Sequence, residues 1–549
     1  DQARMPIATK QIGHYDTPSC PNTFEFSLLM IDIRRAAIAL PFCFLPPMAH
    51  GKSPAPEAQR PPNILLFLVD DMGWQDTSVP FWDTSTHLNR RYHTPNMERL
   101  AAQGMMFTQA YASAISSPSR CSLLTGSNAA RHRVTNWTLH RDRSTDNPHP
   151  LVTPPEWNVN GIAQSAGTSR TYVATSFVQL LHDAGYHTIH CGKAHWGAIG
   201  TPGADPQHFG FDVNIAGHAA GGLATYYSER NYGHDAEGKP TSAMAVPGLE
   251  KYWQTGTFVT EALTREAIAA LDSAKTLDRP FFLHMAHYAI HVPIDPDPRY
   301  LDRYLREGLS EKEAAYATLI EGMDKSLGDL MQWLEENGEA ERTVVLFMSD
   351  NGGYATGTQW RDAPLYVQNF PLRCGKGSAY EGGIREPMIV SWPGVTPPGS
   401  RQTTPVIIED FYPAILDMAG IVQPKCMPQI VDRKSFVPLL RGEKGKRTRT
   451  RVWNCPNVWD NSGPGIGPSC TIRHGDWKMI YFYDDGHHEL YNLAEDIGES
   501  NDMASEHPKI VRNLSRMLGK RLRKMQAQRP SFSASGRPCP WPDEAWRKG

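Results

Sequence analysis

The most constraining feature of the sequence is a series of apolar runs that end in polar residues. Residues 63–69 read Asn-Ile-Leu-Leu-Phe-Leu-Val and lead directly into Asp70 and Asp71. A mostly apolar run of this length indicates a strand that is buried on both faces. Further strand candidates are residues 186–190, 280–284 and 343–348. Because a strand buried on both faces needs cover on each side, this feature favours a layered α/β domain.

Helical patterns alternate with these runs. Thr94, Pro95 and Asn96 predict a capped helix that runs through Leu100 and stops at Gly104. A second helix is expected over residues 175–184, and leucine and methionine at helical spacing over 319–334 predict a buried third. We therefore predict an α/β fold with a large mixed, mainly parallel sheet between helices. In such sheets ligands bind at the carboxyl ends of the strands.

Composition limits the classes of function. The chain has 549 residues, enough for two domains and a large core. Its formal net charge of −3 is too small to indicate a nucleic acid partner, and no segment is long and apolar enough to predict a membrane span. The nine cysteines include no CxxC pair and no zinc spacing. Cys455 and Cys470 could form a disulfide, and the sequence leaves that open.

The N-terminal region resembles a targeting segment. Arg34 and Arg35 precede an apolar run over residues 36–47, and small residues follow at 48–51. This order predicts a secretory signal peptide at 30–51, with Met30 as the true start and residues 1–29 as an artefact of gene calling. Residues 52–62 are rich in proline and are predicted to be a linker. We therefore expect a secreted protein.

Acidic clusters stand at the ends of two predicted strands. Asp70 and Asp71 follow one strand, and Asp350 and Asn351 follow another. Three carboxylates and an amide oxygen form a hard ligand set, which favours Ca²⁺ or Mg²⁺ over zinc. Asp and Asn are also common turn formers, so either cluster alone is a weak signal. Their equivalent positions favour a metal site.

Cationic residues follow other strands. Lys193 and His195 lie in residues 192–197, His291 lies in 287–293, and Lys376 lies in 372–377. Each alone is most often an ordinary surface residue. Together they would surround an oxyanion with ammonium and imidazolium donors. Histidine can also transfer protons near neutral pH.

Residues 116–126 carry the most specific motif, Ser-Ser-Pro-Ser-Arg-Cys-Ser-Leu-Leu-Thr-Gly. Pro118 and the hydroxyl residues predict the start of a helix, where free N–H groups and the helix dipole suit an anion. Arg120 adds a planar set of donors. The segment resembles the sulfatase signature, in which Cys or Ser is followed by x-Pro-Ser-Arg and then by Thr-Gly.

The resemblance extends in order over residues 61–500. Its supporting segments are residues 94–100, 410–420, 475–478 and 489–493, besides the clusters described above. It implies an alkaline-phosphatase-like fold with a catalytic domain at 63–420. It also implies a smaller C-terminal α+β domain at 421–549, with an antiparallel sheet and a helix near residues 508–526.

The resemblance also implies roles for single residues. Ser116 would be converted to Cα-formylglycine by a maturase, and its hydrated form would attack sulfur. The modified Ser116 would bind Ca²⁺, or alternatively Mg²⁺, together with Asp70, Asp71, Asp350 and Asn351. Arg120 and Lys193 would orient residue 116, and His195 would be the base that expels sulfate. Lys193, His291 and Lys376 would bind substrate, and His291 or Lys376 would assist the leaving sugar oxygen.

Two positions depart from the usual family pattern. Most members carry Cys where this chain has Ser116. Serine is typical of bacteria with an oxygen-independent maturase, and it is also what an engineered replacement of Cys would leave. Serine here, together with the predicted signal peptide, therefore implies a secreted bacterial protein of the periplasm. Ala194 stands where many relatives have Trp, and Trp196 follows it.

The expected substrate is a sulfated oligosaccharide or polysaccharide of the glycosaminoglycan, mucin or algal class. The long segments 131–147 and 354–370 contain residues that could contact it, namely Arg131, Arg133, His140, Arg141 and Trp360. Two alternatives stay open. One is a phosphonate monoester or phosphodiester hydrolase of the same superfamily, and the other is a non-catalytic glycan-binding protein with unmodified Ser116.

Overall fold

The computed structural model describes residues 60–446 and 448–545. The predicted signal peptide, the segment before it and most of the predicted linker lie outside the described residues. Arg60–Gln423 and the residues from Met427 onward form one compact unit. The domain boundary predicted at 420/421 stays a prediction. No helix in the described part of the chain is long and apolar enough to cross a membrane.

A nine-stranded mixed sheet forms the centre of the described chain. Its strands are β1 (Asn63–Val69), β2 (Met105–Tyr111), β3 (His187–Gly192), β4 (Val213–Ile215), β5 (Phe281–Ala286), β6 (Thr343–Ser349), β7 (Arg385–Ser391), β8 (Ser400–Gln402) and β9 (Val406–Ile407). Their order is β8-β2-β7-β6-β1-β5-β3-β4, with β9 also paired to β2. All pairs are parallel except those that β7 forms with β2 and β6. The predicted mixed, mainly parallel sheet is confirmed.

Helices cover both faces of this sheet. The longer ones are α1 (Pro95–Gln103), α2 (Ser116–Thr125), α3 (Phe177–Asp183), α4 (Val259–Lys275), α5 (Glu311–Glu336) and α6 (Phe411–Met418). In β1, Leu65 and Phe67 pack into the core beside α4 and α5, whereas Leu66 and Leu68 pack into the core beside α2, α3 and α6. Side chains alternate between the two faces of a strand, so a strand covered on both faces is apolar throughout.

The start of α1 differs from the prediction. Thr94 stands at the N-cap, but its side chain makes no capping hydrogen bond. Its hydroxyl instead lies 2.8 Å from the Thr77 hydroxyl. The carboxylate of Asp324 accepts from the N–H groups of Asn96 and Met97 at 3.0 and 2.8 Å. A residue distant in sequence therefore satisfies the free donors of the helix.

The C-terminal part forms a second, antiparallel sheet, as predicted. Its strands are β10 (Arg451–Cys455), β11 (Ser469–His474), β12 (Trp477–Phe482) and β13 (His488–Asn492), and α7 (Pro508–Lys524) packs on it. Cys455 and Cys470 are both free thiols. Cys470 lies opposite Asn454, so Cys455 points to the other face of the sheet. The register therefore keeps the two thiols apart.

Candidate active site

Parallel strands bring the predicted residues to one edge of the large sheet. β1 is parallel to both β5 and β6, and β5 is parallel to β3. The segments that follow these strands carry Asp70, Asp350, Lys193 and His291. Since the carboxyl ends of parallel strands meet at the same edge, residues distant in sequence become neighbours.

Three carboxylates converge at this edge. Asp70, Asp71 and Asp350 are fully buried, and one oxygen of each lies within 4.8 Å of the others. Burial and the two neighbouring carboxylates raise the pKa of Asp70 to about 8, although Lys193 opposes them. Burial alone would raise the pKa of Asp71, but Lys376 and His291 hold it below its usual range. The amide Nδ2 of Asn351 donates to Asp71 Oδ1 at 2.8 Å.

This cluster fits a divalent cation. Its donors are oxygen atoms from carboxylates and from the Asn351 amide, the ligands that Ca²⁺ and Mg²⁺ prefer. The raised pKa of Asp70 reflects like charges crowded away from water, which a cation between them would relieve.

Ser116 is the first residue of α2 and faces the carboxylate cluster. Its Oγ lies 3.3 Å from Asp70 Oδ1 and 3.1 Å from Asn351 Oδ1. Lys193 Nζ donates to the same Oγ at 3.0 Å. The residue before α2, Ile115, is extended, so the chain enters the helix with the Ser116 side chain at the positive end of the helix dipole.

Arg120 and Lys193 hold the carboxylates in place. Arg120 Nε donates to Asp350 Oδ2 at 2.7 Å, and its Nη1 donates to the Lys193 carbonyl at 2.8 Å. Lys193 Nζ donates to both oxygens of Asp70 at 2.7 Å. Burial lowers the pKa of Lys193 to about 8, against the pull of Asp70. These contacts link the start of α2 to the ends of β1, β3 and β6.

The ring of His195 is held with one free nitrogen. Its Nε2 donates to the Thr138 carbonyl at 3.0 Å, and its buried Nδ1 has no hydrogen-bond partner among the described residues. Burial, with Lys193 and Arg120 nearby, lowers the pKa of His195 far below its usual value. The ring is therefore neutral, and Nδ1 carries a lone pair. A Cβ on Gly221 would lie 2.3 Å from the ring, so only glycine fits there.

His291 and Lys376 lie on the other side of Asp71. Lys376 Nζ donates to Asp71 Oδ2 at 2.8 Å, and His291 Nε2 lies 3.8 Å from the same oxygen. His291 Nδ1 donates to the Val292 carbonyl at 2.7 Å. Burial and Lys376 lower the pKa of His291 to about 3. An anion bound here would favour the protonated ring, because it offsets the charge of Lys376.

Backbone conformation at this edge is unusual. Asp71 and His195 both adopt φ of +61°, in the left-handed region that side chains other than glycine seldom occupy. Such conformations cost on the order of 1–3 kcal/mol each and persist where the surroundings impose them. Here the two conformations direct the carboxylate of Asp71 and the imidazole of His195 toward the same site.

A pocket of about 420 Å³ opens above Ser116. It brings together Ser116, His195, His291 and Lys376. Arg131, Arg133, His140, Arg141 and Trp360, which the sequence offered as substrate contacts, do not line it. Arg131 pairs with Asp432, and Arg133 donates to the Gln526 carbonyl.

The sequence reasoning missed most of the pocket wall. Trp137 and Asn147 belong to the predicted loop 131–147, whereas Trp459 and Asp460 come from the C-terminal part. Trp196 does not replace the missing aromatic at Ala194, because it is buried and stacks on Phe211. No local pattern marks Trp459, since only the fold brings it beside Lys376.

The comparisons with known proteins agree with this geometry. The sulfatase family model matches residues 62–421, and the model of the N-sulphoglucosamine sulphohydrolase C-terminal part matches residues 374–528. The chain belongs to the sulfatase family. It is therefore a sulfuric ester hydrolase, and the buried aspartates correspond to a metal site typical of sulfatases.

Individual sulfatases match most of the chain. A sulfatase of Formosa agariphila is 30% identical over 84% of this chain and 88% of its own length. An N-acetylgalactosamine-6-O-sulfatase of Bacteroides thetaiotaomicron is 28% identical over 83% of this chain and 92% of its own. The crystal structure of Ps i-CgsB in complex with k-i-k-neocarrahexaose matches with a TM-score of 0.66 and 26% identity, over 84% and 93% of the two chains.

Proposed function

We propose that this sulfatase hydrolyses sulfate esters of carbohydrates through a formylglycine made from Ser116. The observation that carries the proposal is the position of Ser116, which begins a helix, contacts the carboxylate cluster and opens onto the pocket. The relatives support a sugar substrate, because one is an N-acetylgalactosamine-6-O-sulfatase and another was solved with k-i-k-neocarrahexaose.

The residues of the site have distinct tasks in this proposal. A divalent cation held by Asp70, Asp71, Asp350 and Asn351 would neutralise the carboxylates and polarise oxygen atoms bound to it. Lys193 donates to residue 116 and orients it. Lys376 and His291 bind the sulfate oxygens, and a bound anion favours protonation of His291, which can then pass a proton to the leaving sugar oxygen.

The first covalent step follows from the hydrated aldehyde. One of its two hydroxyl oxygens loses its proton and forms a bond to sulfur, while the bond between sulfur and the sugar oxygen breaks and that oxygen takes a proton, so the step as a whole gains and loses one proton. Nδ1 of His195 then accepts the proton of the second hydroxyl as the aldehyde re-forms and sulfate leaves. The free lone pair on this buried nitrogen supports the role of base. An unmodified serine lacks the second hydroxyl and has no such exit.

The proposal also includes a bacterial origin and a periplasmic location for the protein. A serine at position 116 requires a maturase that oxidises serine, and the predicted signal peptide directs the protein to the bacterial periplasm. There it would meet sulfated glycan fragments from glycosaminoglycans, mucins or algal polysaccharides.

Peptide mass spectrometry tests the proposal on protein produced with a serine-type maturase. We expect the peptide that contains Ser116 to lose two hydrogen atoms, and the same preparation to release sulfate from sulfated sugars. Ser116→Ala should do neither, whereas Ser116→Cys with a cysteine-type maturase should exchange its sulfur for the aldehyde oxygen, give the same formylglycine peptide and recover sulfate release. A modified peptide with greater turnover of aryl phosphodiesters than of sulfates would favour the phosphodiesterase alternative. An unmodified protein that binds sulfated glycans would favour the binding-protein alternative.

A further inference from the structure

The charged side chains of the pocket differ in sign. Ser116, His195, His291 and Lys376 belong to the proposed sulfate site and are called the sulfate end, and the remaining polar and aromatic lining residues, Trp137, Thr145, Asn147, Tyr354, Trp459 and Asp460, are called the sugar end. Among the pocket-lining residues that the structure describes, Lys376 is the only Lys or Arg and Asp460 is the only acidic residue. The sugar end therefore offers a negative charge and no positive one.

Lys376 cannot serve a second anion. Its Nζ is already paired with Asp71 Oδ2 at 2.8 Å, and the group faces the sulfate end together with His291. A second sulfate or a carboxylate on the same sugar would have to lose water beside Asp460 without a counter-charge. Such an arrangement of like charges is unfavourable in a partly enclosed site.

Asp460 is held in position. Its Oδ1 accepts from the Asn461 N–H at 2.7 Å, and its Oδ2 accepts from the Ser462 hydroxyl at 3.1 Å. Two carboxylate oxygens have about four acceptor positions, so hydrogen-bonding capacity remains for a sugar hydroxyl. A neutral sugar can satisfy this acceptor, and an anionic group cannot.

Trp459 forms a rigid wall of the sugar end. A Cβ on Gly377 would lie 2.1 Å from the indole ring, so the ring packs directly on the backbone next to Lys376. The Trp459 carbonyl accepts from Asn147 Nδ2 at 2.7 Å, and the Asn147 N–H donates to the Val458 carbonyl at 2.9 Å. Two segments from different parts of the chain thus hold each other beside the sulfate site.

Trp137 provides a second aromatic surface. Its carbonyl accepts from the Thr145 hydroxyl at 2.5 Å, which closes the loop that carries it. Large rigid rings with a few fixed polar groups are typical of pockets that bind an uncharged body in one orientation. The apolar faces of a hexose ring suit these walls.

We propose that the sugar bound in this pocket carries the scissile sulfate as its only negative charge, and that Asp460 is the residue that rejects a second one. The preferred unit is a monosulfated neutral hexose or N-acetylhexosamine. A disulfated sugar or a sulfated uronic acid is a poor substrate. This inference rests on the proposed function, since it concerns the sugar attached to the sulfate.

The test compares paired substrates on the formylglycine-containing enzyme. Monosulfated galactose and N-acetylgalactosamine isomers are each paired with the disulfated sugar that contains the same ester, and sulfate release is followed by ion chromatography. We expect kcat/KM to favour the monosulfated member. Asp460→Asn should reduce that preference by roughly tenfold, mainly by improving the disulfated member, because it removes the repulsion.

Matched variants separate a local effect from a general one. Asp460→Glu keeps the charge and should keep the preference. Glu156→Gln removes one charge from an exposed side chain outside the pocket and should leave the preference unchanged. Equal preference in wild type and Asp460→Asn would overturn the inference while leaving the proposed function intact. Absence of sulfate release from every member of both sets, with formylglycine present, would overturn the proposed function and this inference with it.

Discussion

Two buried groups of charged residues in this protein differ in how their carboxylates are arranged. The metal-site cluster comprises Asp70, Asp71, Arg120, Lys193, Asp350 and Lys376, and the inter-sheet cluster comprises Tyr111, Glu381, Arg473, Lys478 and Glu499. In the inter-sheet cluster Lys478 Nζ lies 3.1 Å from Glu381 and 2.8 Å from Glu499, so one cation bridges two carboxylates. Tyr111 donates a further hydrogen bond to Glu381 at 2.7 Å.

The metal-site cluster also pairs each carboxylate with a cation, since Lys193 contacts Asp70, Lys376 contacts Asp71 and Arg120 contacts Asp350, but it differs in how its carboxylates are placed. Its three carboxylates point at one another, and a pocket opens beside them. Arg120 Nη2 is buried and has no hydrogen-bond partner among the described residues. Burial of charge is thus common to both clusters, whereas convergence of like charges next to a pocket distinguishes the functional one. The inter-sheet cluster instead joins β2 and the Glu381–Ile384 helix to the small sheet.

The largest expected effect is a loss of activity on changing Ser116, which contacts the metal-site cluster. In the proposed mechanism Ser116→Ala removes the group that is oxidised to formylglycine, and sulfate release should fall by on the order of 10³-fold or more. The melting temperature should stay close to wild type, because Lys193 loses its hydrogen bond to Ser116 but keeps its buried ion pair with Asp70. Steady-state kinetics and thermal unfolding check the two parts. Retained activity would remove Ser116 from the mechanism.

Metal removal should affect both activity and stability. A chelator should abolish sulfate release, and Ca²⁺ at a hundred times its dissociation constant should stabilise the folded protein by about 2.7 kcal/mol. Asp70→Asn should lose the Ca²⁺-dependent shift in melting temperature, since it removes a ligand charge. As a control, a variant of the inter-sheet cluster should keep that shift. A melting temperature that does not respond to divalent ions in wild type would contradict the metal assignment.

A change in the inter-sheet cluster should lower the stability of the protein far more than its activity. Lys478→Met leaves Glu381 and Glu499 buried without their shared cation, and the free energy of unfolding should fall by about 3–5 kcal/mol. Below the melting temperature, kcat should change far less than in Ser116→Ala. Chemical denaturation measures the loss. Lys251→Met, which removes a largely exposed lysine from its pair with the partly buried Glu266, is the matched control and should cost no more than about 1 kcal/mol. Equal losses in the free energy of unfolding for Lys478→Met and Lys251→Met would contradict a special structural role for the inter-sheet cluster.

The smallest expected effect concerns a residue outside both clusters. Arg141 is largely exposed and does not line the pocket. Arg141→Ala should change the free energy of unfolding by no more than about 0.5 kcal/mol and leave KM for a sulfated monosaccharide unchanged. A clear rise in KM for a monosaccharide would show that the substrate contacts Arg141 as well as the part of this loop that lines the pocket.

Four strands of the large sheet, β1, β3, β5 and β6, and the polar clusters at their ends were predictable from local pattern, as were helices α1, α3 and part of α5. The run over 63–69 forms β1 as predicted, and the two acidic clusters meet because their strands are parallel neighbours. Helix capping was less predictable, since Asp324 satisfies the N–H groups that Thr94 was expected to serve. The sequence left open a disulfide between Cys455 and Cys470, and the strand register, which the sequence does not display, keeps both thiols free.

The sequence by itself determined the class of chemistry, because the Ser116 motif, the carboxylates and the cationic residues each need only a particular residue at a particular strand or helix end. Tertiary structure alone decided which residues line the pocket beside Ser116. Trp459 and Asp460 lie beside Lys376 through contacts between Asn147 and the backbone at Val458 and Trp459. Such contacts join segments more than three hundred residues apart, and no local periodicity or propensity records them, since each segment alone is an ordinary polar loop.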